Sequence, residues 1–391
     1  MKKTISLLLV AVVSAATLQA QTKTFTRDYT YQQKTDELSA EDYFTKGENA
    51  YGNRLYELAI EYFKKAIAIE PEYANAYNDM GNAYSDLKNY NEAIVCYKKA
   101  IAIDPEYVRA YTNMGNAYLN LKNYNEAIDW YKKAIAIDPE YTNAYNGMGN
   151  VYDDLKNHNE AIDWYKKAIA IDPKYAYAYN NMGLAYSDLK NYKEAIDCYK
   201  KAIAIDPEYT NAYYNMGLAY SYLKNYNEAI DWYKKAIAID PEYAFAYGNM
   251  GTASYYLKNY KGAIDWYKKA IAIDPEDVRA YTNMGNAYSD LKNYKEAIVC
   301  YKKAIAIDPE YAYAYNGMGN AYSDLKNYNE AIVCYKKAIA IDPEDAYAYN
   351  NMGNAYYYLG NYSEQRNCYK KAARLGHTNA QEWLRKNGYS W

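Results

Sequence analysis

Apolar and polar positions recur along this chain with a period of 34 residues. Residues 74–107 show the unit: Tyr77, Met80, Gly81 and Tyr84 fall at i, i+3, i+4 and i+7 on one helix face, and Ala93, Tyr97, Ala100 and Ile101 do the same after a break. Each unit therefore predicts two helices. In the break, Leu87-Lys88-Asn89-Tyr90-Asn91, Asn89 tolerates the left-handed conformation that ends a helix and Asn91 can cap the next. Asp104-Pro105-Glu106 closes the unit, with proline suited to the first turn of the following helix, Asp as its cap and Glu near the positive end of its dipole. Gly81 and Ala93 are small where bulk would hold the two helices apart.

Nine prolines, at 71, 105, 139, 173, 207, 241, 275, 309 and 343, mark the period. Ten copies follow over residues 40–379, starting at 40, 74, 108, 142, 176, 210, 244, 278, 312 and 346. The copies depart from one another at informative places: Lys46 and Ala50 in the first, His158 for a tyrosine in the fourth, Ser254 for a tyrosine in the seventh, and Gly376-His377 where the tenth would have proline. Stacked repeats need polar ends, and Asn379–Lys386, with Trp383 and Leu384, reads as a final solvating helix, the cap and tail beyond the tenth copy being 380–391. At the other end, Lys2-Lys3, the apolar run Ile5–Val13 and the small residues leading to Ala20 have the three-part pattern of a bacterial secretory signal, residues 1–20. Cleavage is expected after Ala20, with Ala16 as the second choice, leaving a flexible leader at 21–39. The chain is thus expected to be exported, periplasmic or secreted. No later run is long and apolar enough to cross a membrane.

The places of Tyr77, Gly81, Tyr84, Ala93, Tyr97, Ala100 and Pro105 match the tetratricopeptide repeat, which this array resembles over its whole length. The resemblance implies an all-α fold: a right-handed α-solenoid, or superhelix, of tandem helix-turn-helix repeats with a C-terminal capping helix. First helices would line a concave groove and second helices the convex side.

Composition sharpens this picture. Of 57 tyrosines, 34 occupy the places of Tyr77, Tyr84, Tyr90 and Tyr97 in copies two to ten and read as core. A net charge of −3 excludes the basic footprint of a protein held to nucleic acid. The paired lysines of the second helices, from Lys98-Lys99 to Lys370-Lys371, read as partners of nearby acids, as Asp129 with Lys133. Five cysteines (96, 198, 300, 334 and 368) share one place in the copy, where others carry Tyr62, Trp130, Trp164, Trp232 or Trp266. Equivalent places one copy apart lie about 8–10 Å or more from each other, beyond the ~7 Å Cα limit, so no disulfide is expected. No cysteine pair has metal-ligand spacing, and His158 and His377 lack a recurring nucleophile or carboxylate partner. No phosphate loop or nucleophile motif is present either, so the sequence predicts neither enzyme nor cofactor nor metal.

Comparison of the copies isolates the candidate site. Second helices hardly vary, whereas first helices vary at the places of Asn75, Asn78, Asn82, Ser85 and Asp86, which the resemblance puts in the groove. These places are mostly polar in copies two to four, including Arg109, Asn116 and Asn150, and again in copies eight and nine, including Arg279. In copies five to seven they become apolar and aromatic: Tyr177, Leu184, Tyr214, Leu218, Tyr222, Phe245, Tyr255 and Tyr256. An aromatic patch rimmed by amides and charges suits a protein or peptide partner; tyrosine faces with Asn and Asp would also suit a glycan. Family members that grip chaperone C-termini share a lysine- and asparagine-based carboxylate clamp, and no lysine lies among these places. The expected function is a non-catalytic interaction scaffold of the bacterial envelope.

Overall fold

The computed structural model describes residues 38–391; the secretory signal and nearly all of the leader lie outside the described residues. Among the described residues there are 21 helices and no strand. Each copy contributes two helices, as in Ala74–Asp86 and Tyr90–Ile103, and Thr378–Lys386 follows the tenth. The helices pack in tandem pairs, each second helix against the first helix of its own copy and against the next first helix within its unit. The chain divides into two compact units, one ending at Pro173 with copies one to four, the other starting at Lys174 with copies five to ten and the last helix. Both are stacks of helix pairs, as an α-solenoid requires.

Two details of the turns differ from the sequence expectation. The left-handed residue is Lys88 (φ 62°), with a basic residue in the same role in every copy to Lys326 and Gly360 in the tenth. Lys88 N–H donates to Ser85 O at 2.9 Å and Asn89 N–H to Tyr84 O at 2.8 Å, closing the helix in a Schellman arrangement. Asn89, not Asn91, is then the N-cap residue, and its side chain makes no capping bond. The proline stays outside the next helix: Glu106 N–H donates to Asp104 Oδ1 at 3.0 Å in a tight turn, and the helix begins only at Val108.

The tyrosines also separate. Only the place of Tyr97 is fully buried, in Tyr131, Tyr165, Tyr199, Tyr233, Tyr267, Tyr301 and Tyr335, whereas Tyr77, Tyr84 and Tyr90 are half-buried at the seams between helices. The fully buried ring explains the glycine. A Cβ on Gly81 would come within 2.5 Å of Tyr97 Cε1, and one on Gly149 within 2.3 Å of Tyr165 Cε1.

All five cysteines are buried free thiols. Burial pushes Cys96, Cys198, Cys300 and Cys334 up to about 11 and Cys368 up to about 12, so almost no thiolate forms at neutral pH. A colorimetric thiol assay at neutral pH should score none of the five in the native chain and all five after denaturation.

Candidate functional site

The site is built on the partners of the buried tyrosines. A phenol taken out of water needs an acceptor, and in most copies a first-helix asparagine provides it. Tyr131 donates to Asn116 Oδ1 at 2.7 Å, Tyr165 to Asn150 Oδ1 at 2.9 Å and Tyr301 to Asn286 Oδ1 at 2.7 Å. Asn116 and Asn150, expected to face a partner, therefore spend their carboxamide oxygens on the fold. Leu184 and Leu218 replace this asparagine in copies five and six, where the phenols of Tyr199 and Tyr233 bond instead to Ser187 and Ser221, both at 3.2 Å. In copy seven Thr252 takes the role, at 3.3 Å from Tyr267. Moving the acceptor one turn frees the asparagine place to become apolar.

A cleft of about 320 Å³ opens on the first-helix face of copies six to eight. Its apolar walls are Leu218, Tyr222 and Phe245, with Tyr222 and Phe245 more than half exposed. Its opening depends on Gly248. That place holds a side chain in every other copy and a buried Asn or Thr in several, such as Asn78, Thr112 and Asn180. A Cβ on Gly248 would meet nothing nearer than Asp277 Oδ2 at 4.0 Å. In copy six the same place holds Tyr214, whose hydroxyl accepts from Asn249 Nδ2 at 2.9 Å and whose ring meets Tyr243 edge-on at 5.0 Å. Burial raises the Tyr214 phenol, while Asn249 and Arg279 hold it back.

The polar rim of the cleft comes from Asn249, Asn283, Arg279 and Asp277. Asp277 Oδ1 caps the helix Val278–Asp290, accepting from Arg279 N–H at 2.9 Å and Ala280 N–H at 3.0 Å, which leaves Oδ2 towards Gly248. The exposed Arg279 guanidinium has no ion pair among the described residues. The rim thus offers amide donors and acceptors, an unpaired cation and one carboxylate oxygen. A second cleft of about 300 Å³ shares Leu218, Tyr222, Asn249 and Thr252 with the first and is also lined by Lys224, Tyr226 and Tyr256.

Five of the residues expected from sequence, Tyr214, Leu218, Tyr222, Phe245 and Arg279, meet in the first cleft, and Tyr256 borders the second. Tyr255 is diverted, donating to Asp290 Oδ2 at 2.5 Å. Tyr177 is exposed and packs on Tyr209 at 5.1 Å; it and Leu184 line neither cleft. Arg109, Asn116 and Asn150 belong to the other unit. Sequence reading missed Gly248, Thr252, Tyr267 and Asp277. Gly248 carried a usable signal, as the glycine in a column of larger residues.

On the second helices, the expected pairing of Asp129 with Lys133 is replaced by Lys133 lying 3.8 Å over the Trp130 ring. The acids pair instead three residues on, as Asp163 with Lys166 at 3.2 Å.

Tetratricopeptide and TPR repeat models match the chain at 55–88, 81–122, 106–174, 142–208, 174–242, 251–292, 278–311, 300–333, 319–360 and 346–377, and a Sel1 repeat model matches 40–68. Among solved structures the chain is similar to yeast Tom70, at 16% identity and TM-score 0.46, covering 89% of this chain and 94% of that one. It is similar to a chain of the APC/C hetero-tetramer Cut9-Hcn1, at 14% identity and TM-score 0.47, covering 89% and 96%. It is also similar to YrrB, titled a TPR protein with an unusual peptide-binding site, at 28% identity and TM-score 0.34, covering 47% of this chain and 95% of that one. No curated protein matches.

Proposed function

Because the chain belongs to the tetratricopeptide repeat family, whose repeats bind protein or peptide partners, we propose that it is a non-catalytic scaffold of the bacterial envelope. In this reading a segment of a partner protein lies on the first-helix face of copies six to eight. The observation that carries it is the cleft at Gly248, where apolar walls stand beside unspent polar groups. An apolar side chain of the segment would enter between Tyr222 and Phe245. Its backbone would find donors in Asn283 and Arg279 and acceptors in Asp277 and the Oδ1 of Asn249, whose Nδ2 group is spent on Tyr214 and Phe245 O, the pairing an extended peptide needs when it leaves water. The groove tyrosines suit a sugar less well, because Tyr222 is stacked on Tyr192 and Tyr256 on Tyr226, both at 5.1 Å. The envelope location rests on the secretory pattern of residues 1–20, and N-terminal sequencing of the fractionated protein tests it.

The cleft is tested by selecting peptides from a displayed library on the full mature chain, then measuring their affinity for variants. Gly248→Leu has room in the fold and fills the cleft. It is expected to weaken the selected peptide by at least about 30-fold, about 2 kcal/mol, as removal of a central anchor pocket does. Arg279→Ala should weaken it less and reduce its salt dependence. Peptides that bind Gly248→Leu as well as the unaltered chain would sink the assignment.

A further inference from the structure

Copy seven departs from its siblings a second time, on its second helix. The reference is Trp164 of copy four, which is enclosed: Tyr152 stacks on its ring at 6.5 Å and 5°, Glu160 Oε1 accepts from its Nε1 at 3.2 Å, and Lys167 Nζ lies 3.6 Å over the ring. Trp130 and Trp232 show neither of the first two contacts but keep the tyrosine and the glutamate, whereas beside Trp266 both side chains are absent, with Ser254 in the place of Tyr152 and Gly262 in the place of Glu160. Neither substitution occurs in any other of copies two to ten, so two separate changes remove large side chains beside one tryptophan. The third neighbour has withdrawn, with Lys269 Nζ at 4.4 Å against 3.8, 3.6 and 3.5 Å for Lys133, Lys167 and Lys235 over their rings.

An open cleft of about 620 Å³ results, lined by Asn259, Gly262, Asp265, Trp266 and Lys269. Tyr247 supports the ring at 6.2 Å. Asn259 Oδ1 is taken by Gly262 N–H at 3.1 Å, which leaves its Nδ2 group as a donor. One half-buried indole thus stands among an amide donor, an ammonium donor and a carboxylate acceptor. Groups of both signs do not select an ion, and a purely apolar ligand would strand them. A pyranose ring satisfies all of them: its C–H face lies on the indole once the flexible Lys269 swings aside, and its hydroxyls both donate and accept.

We propose that the second helix of copy seven carries a glycan subsite in which Trp266 is the platform and Asp265, Asn259 and Lys269 bond the sugar hydroxyls. The site does not depend on the peptide cleft. Six tryptophans make it testable by NMR of the full chain labelled with ¹⁵N-tryptophan, the Trp266 indole signal being assigned from Trp266→Phe. Cellotetraose, maltotetraose and the tetramer of N-acetylglucosamine are the probes. At least one is expected to shift the Trp266 signal and leave Trp164 unmoved. Gly262→Glu restores the residue that the corresponding place has in the other copies from two to ten, and its Cβ, 2.5 Å from Asn259 Nδ2, needs only the Asn259 side chain to turn away. It should weaken that sugar by at least about tenfold. The proposal fails if none of the three moves the Trp266 signal, if Gly262→Glu binds equally well, or if a proline-rich peptide moves the signal and the sugars do not.

Discussion

Above pH 10 this fold is expected to fail steeply, because its core is made of phenols that must stay protonated. Tyr97, Tyr131 and Tyr165 in the first unit, and Tyr233, Tyr267, Tyr301 and Tyr335 in the second, are fully buried. Burial pushes each above the ordinary value of 10.0, Tyr267 up to about 12 and the others higher. In the unfolded chain the same groups ionise near 10. Between that value and the folded values the unfolded state binds fewer protons, so stability falls as pH rises; below pH 10 the contribution is fully present. Each such tyrosine removes about 1.4 kcal/mol per pH unit, and the three of the first unit together roughly 4 kcal/mol, against a total of about 5–15 kcal/mol for a domain. The buried set should ionise together with loss of helix. Tyrosinate absorbance and circular dichroism followed in one titration check this. Complete ionisation with the helices still intact would refute it.

Replacing one of these rings should be nearly as damaging. Tyr131 is fully buried between Gly115 of its own copy and Gly147 of the next, where an added Cβ would stand 2.5 Å from Cε1 on either side. Tyr131→Ala is expected to cost about 3–5 kcal/mol, towards the upper end of buried aromatic truncations, because two glycine walls have no side chains with which to close the cavity. Tyr131→Phe keeps the ring and loses only the bond to Asn116 at 2.7 Å. It should cost about 1 kcal/mol, since the exposed Asn116 can turn to water. Urea unfolding of both variants measures the difference. Stability in such arrays is a sum of copy and neighbour terms, so the alanine variant should also split the transition of the first unit. Equal costs for the two variants would mean that the phenol bond, and not the ring's volume, holds the copies together.

Much of the fold was legible because it is local and periodic. The starts of the first helices at Ala74, Val108 and Thr142 coincide with the copy boundaries read from the prolines. The pairing of a glycine with a ring, Gly81 with Tyr97, follows from a small residue on the face where two helices meet. The turn was misread because residue preference pointed to Asn89, while the hydrogen bonds to Ser85 and Tyr84 put Lys88 in the left-handed position. An exposed long side chain bears that strain without a packing conflict, and only glycine in the tenth copy avoids it. The burial of three of the four tyrosine places, those of Tyr77, Tyr84 and Tyr90, was overestimated for a related reason. Helical spacing says which residues share a face, but how deeply a face is covered depends on the neighbouring helix.

The candidate site divides the same way. Sequence comparison among copies found the turn from polar to apolar at Leu218, Tyr222 and Phe245, because a change of residue type needs no coordinates. It could not tell that Tyr214, Gly248 and Arg279, from three successive copies, surround one cleft while Tyr255 is drawn off to Asp290. Nor could it tell that Asn116 and Asn150 serve buried phenols. By itself, then, the sequence determined the period, the helix pairs and the composition of each face, all set by spacing along one chain. Only the tertiary structure decided which side chains are spent on the fold and which remain to meet a partner, because those distances run between helices, within a copy for Asn116 and Asn150 and across copies for Tyr255, and are fixed by how the helices pack.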